Sequence, residues 1–165
     1  MGSGAVPGAK RIHSANHLAS ILKLPVELLR HVATSLDVEP RVHYRFITKP
    51  KRAGGSREIA MPRRQIRRIQ QRIRSRIFSR FKFPDAMRGG VKGSRLIDHA
   101  AVHAGKSVVV NLDIRECFPS TSAARVARMF SQELLCYREP RFLLTRLTTA
   151  KGSVPQGGVT SMDVV

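Results

Sequence analysis

Between His17 and Leu36, leucines and isoleucines recur at three- and four-residue spacing, the period that gathers apolar side chains on one face of a helix. Pro25 interrupts the run, so the pattern predicts two short helices. Residues 42–48 (VHYRFIT) and 56–61 (SREIAM) are strand-like and flank Ala53-Gly54-Gly55, whose glycines can take the positive φ of a tight turn. A basic β-hairpin is expected there. From Pro62 onward, Ile66, Ile69, Ile73, Ile77 and Phe81 return to helical spacing, while Arg63, Arg64, Arg67, Arg68, Arg72, Arg74, Arg76 and Arg80 fill other positions. This predicts an amphipathic helix whose cationic side is either a plain solvated face or a surface for nucleic acid. The stretch 89–94 (GGVKGS) reads as a loop, followed by a helix over about 95–104 that ends near Gly105. The run 107–114 (SVVVNLDI) predicts a buried strand from its β-branched content. Helices over about 121–135 and 140–150 then lead to the turn-rich KGSVPQGG. No internal repeat or low-complexity tract is present.

Composition adds a partner to this picture. A chain of 165 residues with 42% hydrophobic content suits one domain with a modest core. Residues 1–15 are small and polar and predict disorder. Lys and Arg number 30 against 11 Asp and Glu, a formal charge of +19. The surplus is local: residues 41–95 hold 18 Lys/Arg and two acids, Glu58 and Asp85. Such a footprint points to a polyanion, and nucleic acid explains it better than charge for solubility alone. Membrane lipid fits less well, because no apolar run approaches the roughly 18 residues of a spanning helix. Cys117 and Cys136 make no disulfide framework and lack metal-ligand spacing, as expected of a reducing cytoplasm. The opening MGSGAVPGAK has no apolar stretch of signal-peptide length.

Three elements carry candidate chemistry. Asn111-Leu112-Asp113-Ile114-Arg115-Glu116-Cys117-Phe118-Pro119-Ser120 places a carboxylate at the end of the predicted strand and an aromatic five positions later. Alone, Asp113 could equally be a cap for the next turn. Val154-Pro155-Gln156-Gly157-Gly158-Val159-Thr160-Ser161 supplies a rigid turn, an amide side chain and glycines that permit close backbone approach. The hairpin KPKRAGGSREIAMP is the third. His99 and His103, at i and i+4, share a helix face, but no Glu follows His99 and no third ligand is evident, which favours a structural or RNA-facing role over zinc.

In order and approximate spacing the three elements resemble a reverse transcriptase, and the resemblance runs from about Leu18 to the last residue. Phe46, Lys49, Gly54, Gly55, Arg57, Ile59 and Pro62 match a fingers pattern of the form F-x-I-x-K…G-G-x-R-x-I…P, and Gln70 and Ile73 match a Q-x-x-I pattern in the basic helix that follows. The Asp113 segment looks like motif A of the palm, and the Gln156 segment looks like motif B. Within that family the chain resembles the retron type of bacteria, whose N-A-x-x-H signature corresponds to His99-Ala100-Ala101-Val102-His103. It departs from that type with His for Asn at 99, with Gly93-Ser94-Arg95 where Gly-Arg-Ser is more usual, and with Val159 and Met162 where a proline is common.

The resemblance implies an α+β fold: a helical extension over 16–40, fingers over 41–105 and part of a palm over 106–165. It implies an RNA-directed DNA polymerase that adds dNTPs to a primer 3′-hydroxyl with two Mg2+ ions, serves phage defence and sits in the bacterial cytoplasm. By the same likeness Asp113 bridges the metals and the Ile114 carbonyl helps hold one of them. Phe118 gates against a ribose 2′-hydroxyl. Arg57 lies along the triphosphate with Lys49 as companion and Lys51 as the rival for that place, Gln156 contacts the sugar and Gly157 lets the backbone approach. Arg63, Arg64, Arg67, Arg68 and Arg72 hold template and primer through phosphates.

The implied partners are a structured noncoding RNA template, the RNA/DNA hybrid and dNTP, with a second polypeptide completing the palm or a retron effector beside them, and no membrane. The family places a tyrosine-x-aspartate-aspartate hairpin after motif B, whereas Asp163 is the only acid after Ser161 and falls in the expected motif B helix. The expectation is therefore an amino-terminal fragment, inactive alone, with an incomplete palm sheet and open strand edges. A non-catalytic basic RNA-binding module and a group II intron-like reverse transcriptase fragment remain the alternatives.

Overall fold

The computed structural model describes residues 11–52, 54–81, 93 and 95–165. The disorder expected over 1–15 falls mostly outside the described residues, as does most of the 89–94 loop.

The first helix, α1 (Ala15–Leu22), starts where the Ser14 hydroxyl accepts the His17 N–H at 3.1 Å and stops where Lys23 turns left-handed at φ 52°. Pro25 then opens α2 (Val26–Val38), so the predicted break falls where a ring without an N–H can only begin a helix. One turn, α3 (Pro40–His43), leads into β1 (Tyr44–Pro50), which pairs antiparallel with β2 (Ser56–Pro62). The turn between them uses Gly54 and Gly55 at φ 87° and 76°. Next come α4 (Arg64–Arg76) with a 3-10 turn at Phe78–Arg80, α5 (Leu96–Ala101), α6 (Cys117–Ser120), α7 (Ala123–Gln132), α8 (Arg138–Thr148) and α9 (Ser161–Val164).

The core lies where α4 and α8 meet α1, α2 and α7. Ile66, Ile69 and Ile73 of α4, which packs on α1 and α8, share one buried cluster with Leu18 and Leu22 of α1 and Leu143, Leu144 and Leu147 of α8, and α8 in turn brings in Leu29 and Val32 of α2 and Phe130 of α7. Each such side chain contributes about 1.5–3 kcal/mol through removal from water. The helical period of α4 thus sends isoleucines inward and leaves Arg64, Arg67 and Arg68 exposed. The mixture of helices and one small sheet agrees with the α+β class.

One expectation fails. Residues 107–114 form no strand: they run as exposed irregular backbone, with Val108 75%, Val110 73%, Leu112 92% and Ile114 67% accessible. The palm sheet expected around them is likewise absent among the described residues, whose one named sheet is the β1–β2 hairpin. A β-branched run becomes a strand only when a neighbour takes up its N–H and C=O groups, and no described segment does so.

Buried His43 sits with Nε2 2.6 Å from the Ser35 hydroxyl. Burial, and secondarily the charge of His31, holds its pKa below the ordinary 6.5, with Glu39 opposing. The unfolded chain therefore takes up this proton at higher pH than the folded one, so the contribution to stability is complete above 6.5 and is lost as pH falls through the lowered folded value. Melting temperature should fall between about pH 7 and 5, and His43→Asn should flatten that slope. In hydrogen exchange followed by mass spectrometry, peptides covering 107–116 should exchange fully at the first time points while those covering 66–73 and 143–148 stay protected; protection at 107–116 would show that the segment is paired after all.

Candidate functional site

The hairpin sorts its side chains by register. Residues opposite one another in an antiparallel pair share a face, and Lys49 pairs with Arg57, Ile47 with Ile59 and Arg45 with Met61. Lys49 and Arg57 therefore stand side by side, both exposed, near the turn. The opposite face carries Tyr44, Phe46, Glu58 and Ala60 and is anchored inward, with Tyr44 and Ala60 buried. There Lys151 bonds both Glu58 carboxylate oxygens at 2.8 Å and places its Nζ 3.9 Å from the centre of the Phe46 ring.

The motif-B-like loop lies along the outer edge of β2. The Ala60 N–H donates to the Gln156 carbonyl at 2.8 Å. Gly157, at φ 111°, comes so close that an added Cβ would lie 3.1 Å from both the Ala60 carbonyl oxygen and Ile59 Cγ2. Buried Gln70 of α4 fixes the other end of this loop. Its Oε1 accepts the Val159 N–H at 3.0 Å, while Nε2 donates to the Tyr44 hydroxyl at 2.7 Å and the Leu147 carbonyl at 3.0 Å. One carboxamide thus joins β1, α4, α8 and the loop. Within the loop the Ser161 hydroxyl donates to the Pro155 carbonyl at 2.6 Å.

The motif-A-like segment reaches the hairpin only at its end. Glu116, in a left-handed conformation at φ 50°, pairs with Lys51 at 3.3 Å, and the Thr121 carbonyl accepts the Val154 N–H at 3.0 Å. Phe118 is half-buried against the core. The structure therefore brings Lys49, Arg57, Gln156 and Gly157 onto one strand pair and its edge. Asp113 and Ile114 lie in the exposed 107–114 stretch, and no backbone hydrogen bond or ion pair recorded among the described residues ties them to the hairpin. Among the described residues no group of three or more His, Cys, Asp or Glu could hold a metal ion, so the residues present do not by themselves make up the two-ion site that the resemblance implies. His99 of exposed α5 and His103 in the turn that follows it meet edge to face at 5.4 Å, so the helix expected over 95–104 ends before the second histidine.

Electrostatics favour an anion beside the hairpin. The chain passes from Pro62 directly into Arg63 and α4, whose first turn has no acidic residue and whose N-terminus has no side-chain cap. Cations there oppose the helix dipole at about 0.3–1 kcal/mol each, a local cost that a bound anion would reverse. Arg63, Arg64, Arg67 and Arg68 are exposed and Arg72 is half-buried. Farther along α4, Arg74 pairs with Asp163 at 3.3 Å; burial raises the Asp163 pKa, and Arg74 opposes that rise. Asp163 thus serves α9 as an ion-pair partner.

The chain aligns with the retron Mx162 reverse transcriptase of Myxococcus xanthus at 32% identity over 95% of its length and 36% of the relative's. The retron Se72 reverse transcriptase of Salmonella heidelberg aligns at 29% identity over 91% of this chain and 39% of its own, and the retron Ec86 reverse transcriptase of Escherichia coli at 24% over 93% and 47%. The chain is a relative of the retron reverse transcriptases. It spans less than half the length of each of these three proteins. No protein-family model matches it.

For this retron relative, reading the sequence missed Lys151, Glu58 and Glu116 as parts of the site, and it saw Gln70 only as one position of a pattern. A lysine before a glycine gives no local sign that it will bridge to an acid 93 positions away. No helix among the described residues is long and apolar enough to cross a membrane. Gln70→Met should lower stability by about 3 kcal/mol, because it leaves the Tyr44 hydroxyl and the Leu147 carbonyl buried, and the Val159 N–H half-buried, without their partner. A urea titration with unchanged slope and an earlier midpoint checks this, and an unchanged midpoint would remove the carboxamide from its central place.

Proposed function

We propose that this chain is the fingers and partial palm of a retron-type RNA-directed DNA polymerase, and that in this part of the enzyme it grips the template–primer and the incoming dNTP triphosphate. The observation that carries the reading is the docking of the Gln156–Gly157 loop on the strand that presents Arg57, with Lys49 beside it. In this reading a guanidinium fork and an ammonium meet the triphosphate oxygens, Gln156 meets the sugar, and the close approach at Gly157 keeps the loop low enough to leave room for both. Arg63, Arg64, Arg67, Arg68 and Arg72 follow the backbone of an RNA/DNA hybrid, neutralising phosphates without reading bases.

Phe118 is assigned to the sugar and Asp113 with Ile114 to the Mg2+ ions. That last assignment needs residues 107–114 to leave their exposed course and join a sheet, which further strands of a complete palm, in the same or a second polypeptide, would supply. A structured noncoding RNA as template, a retron effector as partner and a role in phage defence belong to the same proposal and rest on the likeness to retron enzymes.

Binding of a fluorescein-labelled RNA/DNA hybrid, followed by anisotropy across a salt series, tests the grip. With about five phosphates neutralised, log K should fall against log salt with a slope near −4, and Arg67→Gln with Arg68→Gln should shrink it by about 2. A slope near zero, or one untouched by the double substitution, would refute the assignment. In primer extension on poly(A) with dTTP and Mg2+, the chain alone should be inactive; within a version carrying the remaining palm, Asp113→Asn should abolish synthesis and spare hybrid binding.

A further inference from the structure

A second surface, where the segment leading into α1 meets the entry to α8, gathers rings instead of phosphate-binding cations alone. At the entry to α8 the Tyr137 N–H donates to the Ile12 carbonyl at 3.0 Å, which places the residues on either side of that bond next to one another. His13 lies 5.1 Å from the Tyr137 ring, centre to centre, and stacks on His17 at 5.8 Å with the planes only 12° apart. The His13 N–H donates to His17 Nδ1 at 3.5 Å, which fixes the second ring. Tyr137 is 52% accessible and His13 is exposed, so the row of rings is not core.

Its surroundings are cationic. Arg11 and Arg138, both exposed, adjoin the two partners of the backbone bond. The neighbouring acid, Glu139, is taken up by Arg30, whose Nη2 and Nε reach Oε1 at 2.7 and 3.1 Å. Arg141, one turn into α8, donates to Ser131.

We propose that His13, His17 and Tyr137, flanked by Arg11 and Arg138, form a stacking platform for unpaired bases of single-stranded nucleic acid. Exposed flat rings offer bases a surface that water does not compete for, and the adjacent guanidinium groups meet the phosphates on either side. A duplex hides its base faces, so the platform discriminates single strands from paired ones, which backbone contacts along α4 do not. The inference rests on nucleic acid being the partner, as in the functional reading above, and not on polymerase chemistry.

The chain contains no tryptophan and two tyrosines, and Tyr44 is buried beneath the Gln70 amide. Tyrosine emission quenched by a base therefore reports on Tyr137. Oligo(U) of about 12 nucleotides, within the span such platforms cover, should quench that emission, whereas an RNA duplex of equal length should bind without quenching. Tyr137→Leu should weaken oligo(U) binding about tenfold and leave duplex binding unchanged, and Tyr137→Phe should restore oligo(U) affinity, read by anisotropy, to within about twofold. Tyr137→Lys separates ring from charge, since it should also weaken oligo(U) binding, while a surface acting by charge alone would bind more tightly. Oligo(U) binding without quenching, or undiminished in Tyr137→Leu, would overturn the platform and leave the grip on duplex intact. Failure of both oligonucleotides to bind would overturn the platform and the functional reading together.

Discussion

The buried carboxamide of Gln70 is the constraint on which the arrangement turns. A polar side chain excluded from water must find partners for its donors and its acceptor, and Gln70 does so by reaching β1, α8 and the loop before α9 at once. Apolar packing alone could let α4 slide against α8 by a fraction of a turn, whereas three directed bonds admit one registration. The Tyr44 hydroxyl, buried beside this amide, has its pKa raised by burial and stays a neutral partner. The loop that closes on β2 is therefore positioned from the core outward, by the same residue that fixes how the helices pack.

How far the sequence revealed this depends on the range of each interaction. The paired helices around Pro25, the hairpin flanking Gly54-Gly55 and the isoleucine face of α4 were legible because their signals lie within a few residues of one another. Residues 107–114 were not: Val108 to Val110 have the composition of a strand, yet a strand exists only in the presence of another, and that information lies outside the segment. The cross-links Lys151–Glu58 and Lys51–Glu116 were invisible for a similar reason, since each side chain looks like one more surface charge until the fold brings its partner near. For the candidate site, residue types were readable from the motifs, while the pairing of Lys49 with Arg57 became definite only with the register.

Local disagreement between sequence and structure is informative in two places. Arginines crowd the dipole-disfavoured start of α4, and large apolar side chains stand in solvent from Val108 to Ile114. Each is a cost in the isolated chain that a partner would relieve, an anion in the first case and neighbouring strands in the second. Both fall in segments to which the proposed function gives a role, while the well-packed helices between them carry the stability.

The ionic fastenings of the hairpin add a further property. Lys151 with Glu58 of β2 and Lys51 of the turn with Glu116 are half-exposed pairs joining the hairpin to the rest of the molecule, and such pairs weaken as counterions accumulate. Under the proposed function electrolyte thus acts on this protein twice, competing for the phosphates of a bound polymer and slackening the struts that hold the hairpin in its pose. Grip and posture are tied to one environmental variable, so the molecule would relax its hold by yielding in shape as well as by losing attraction.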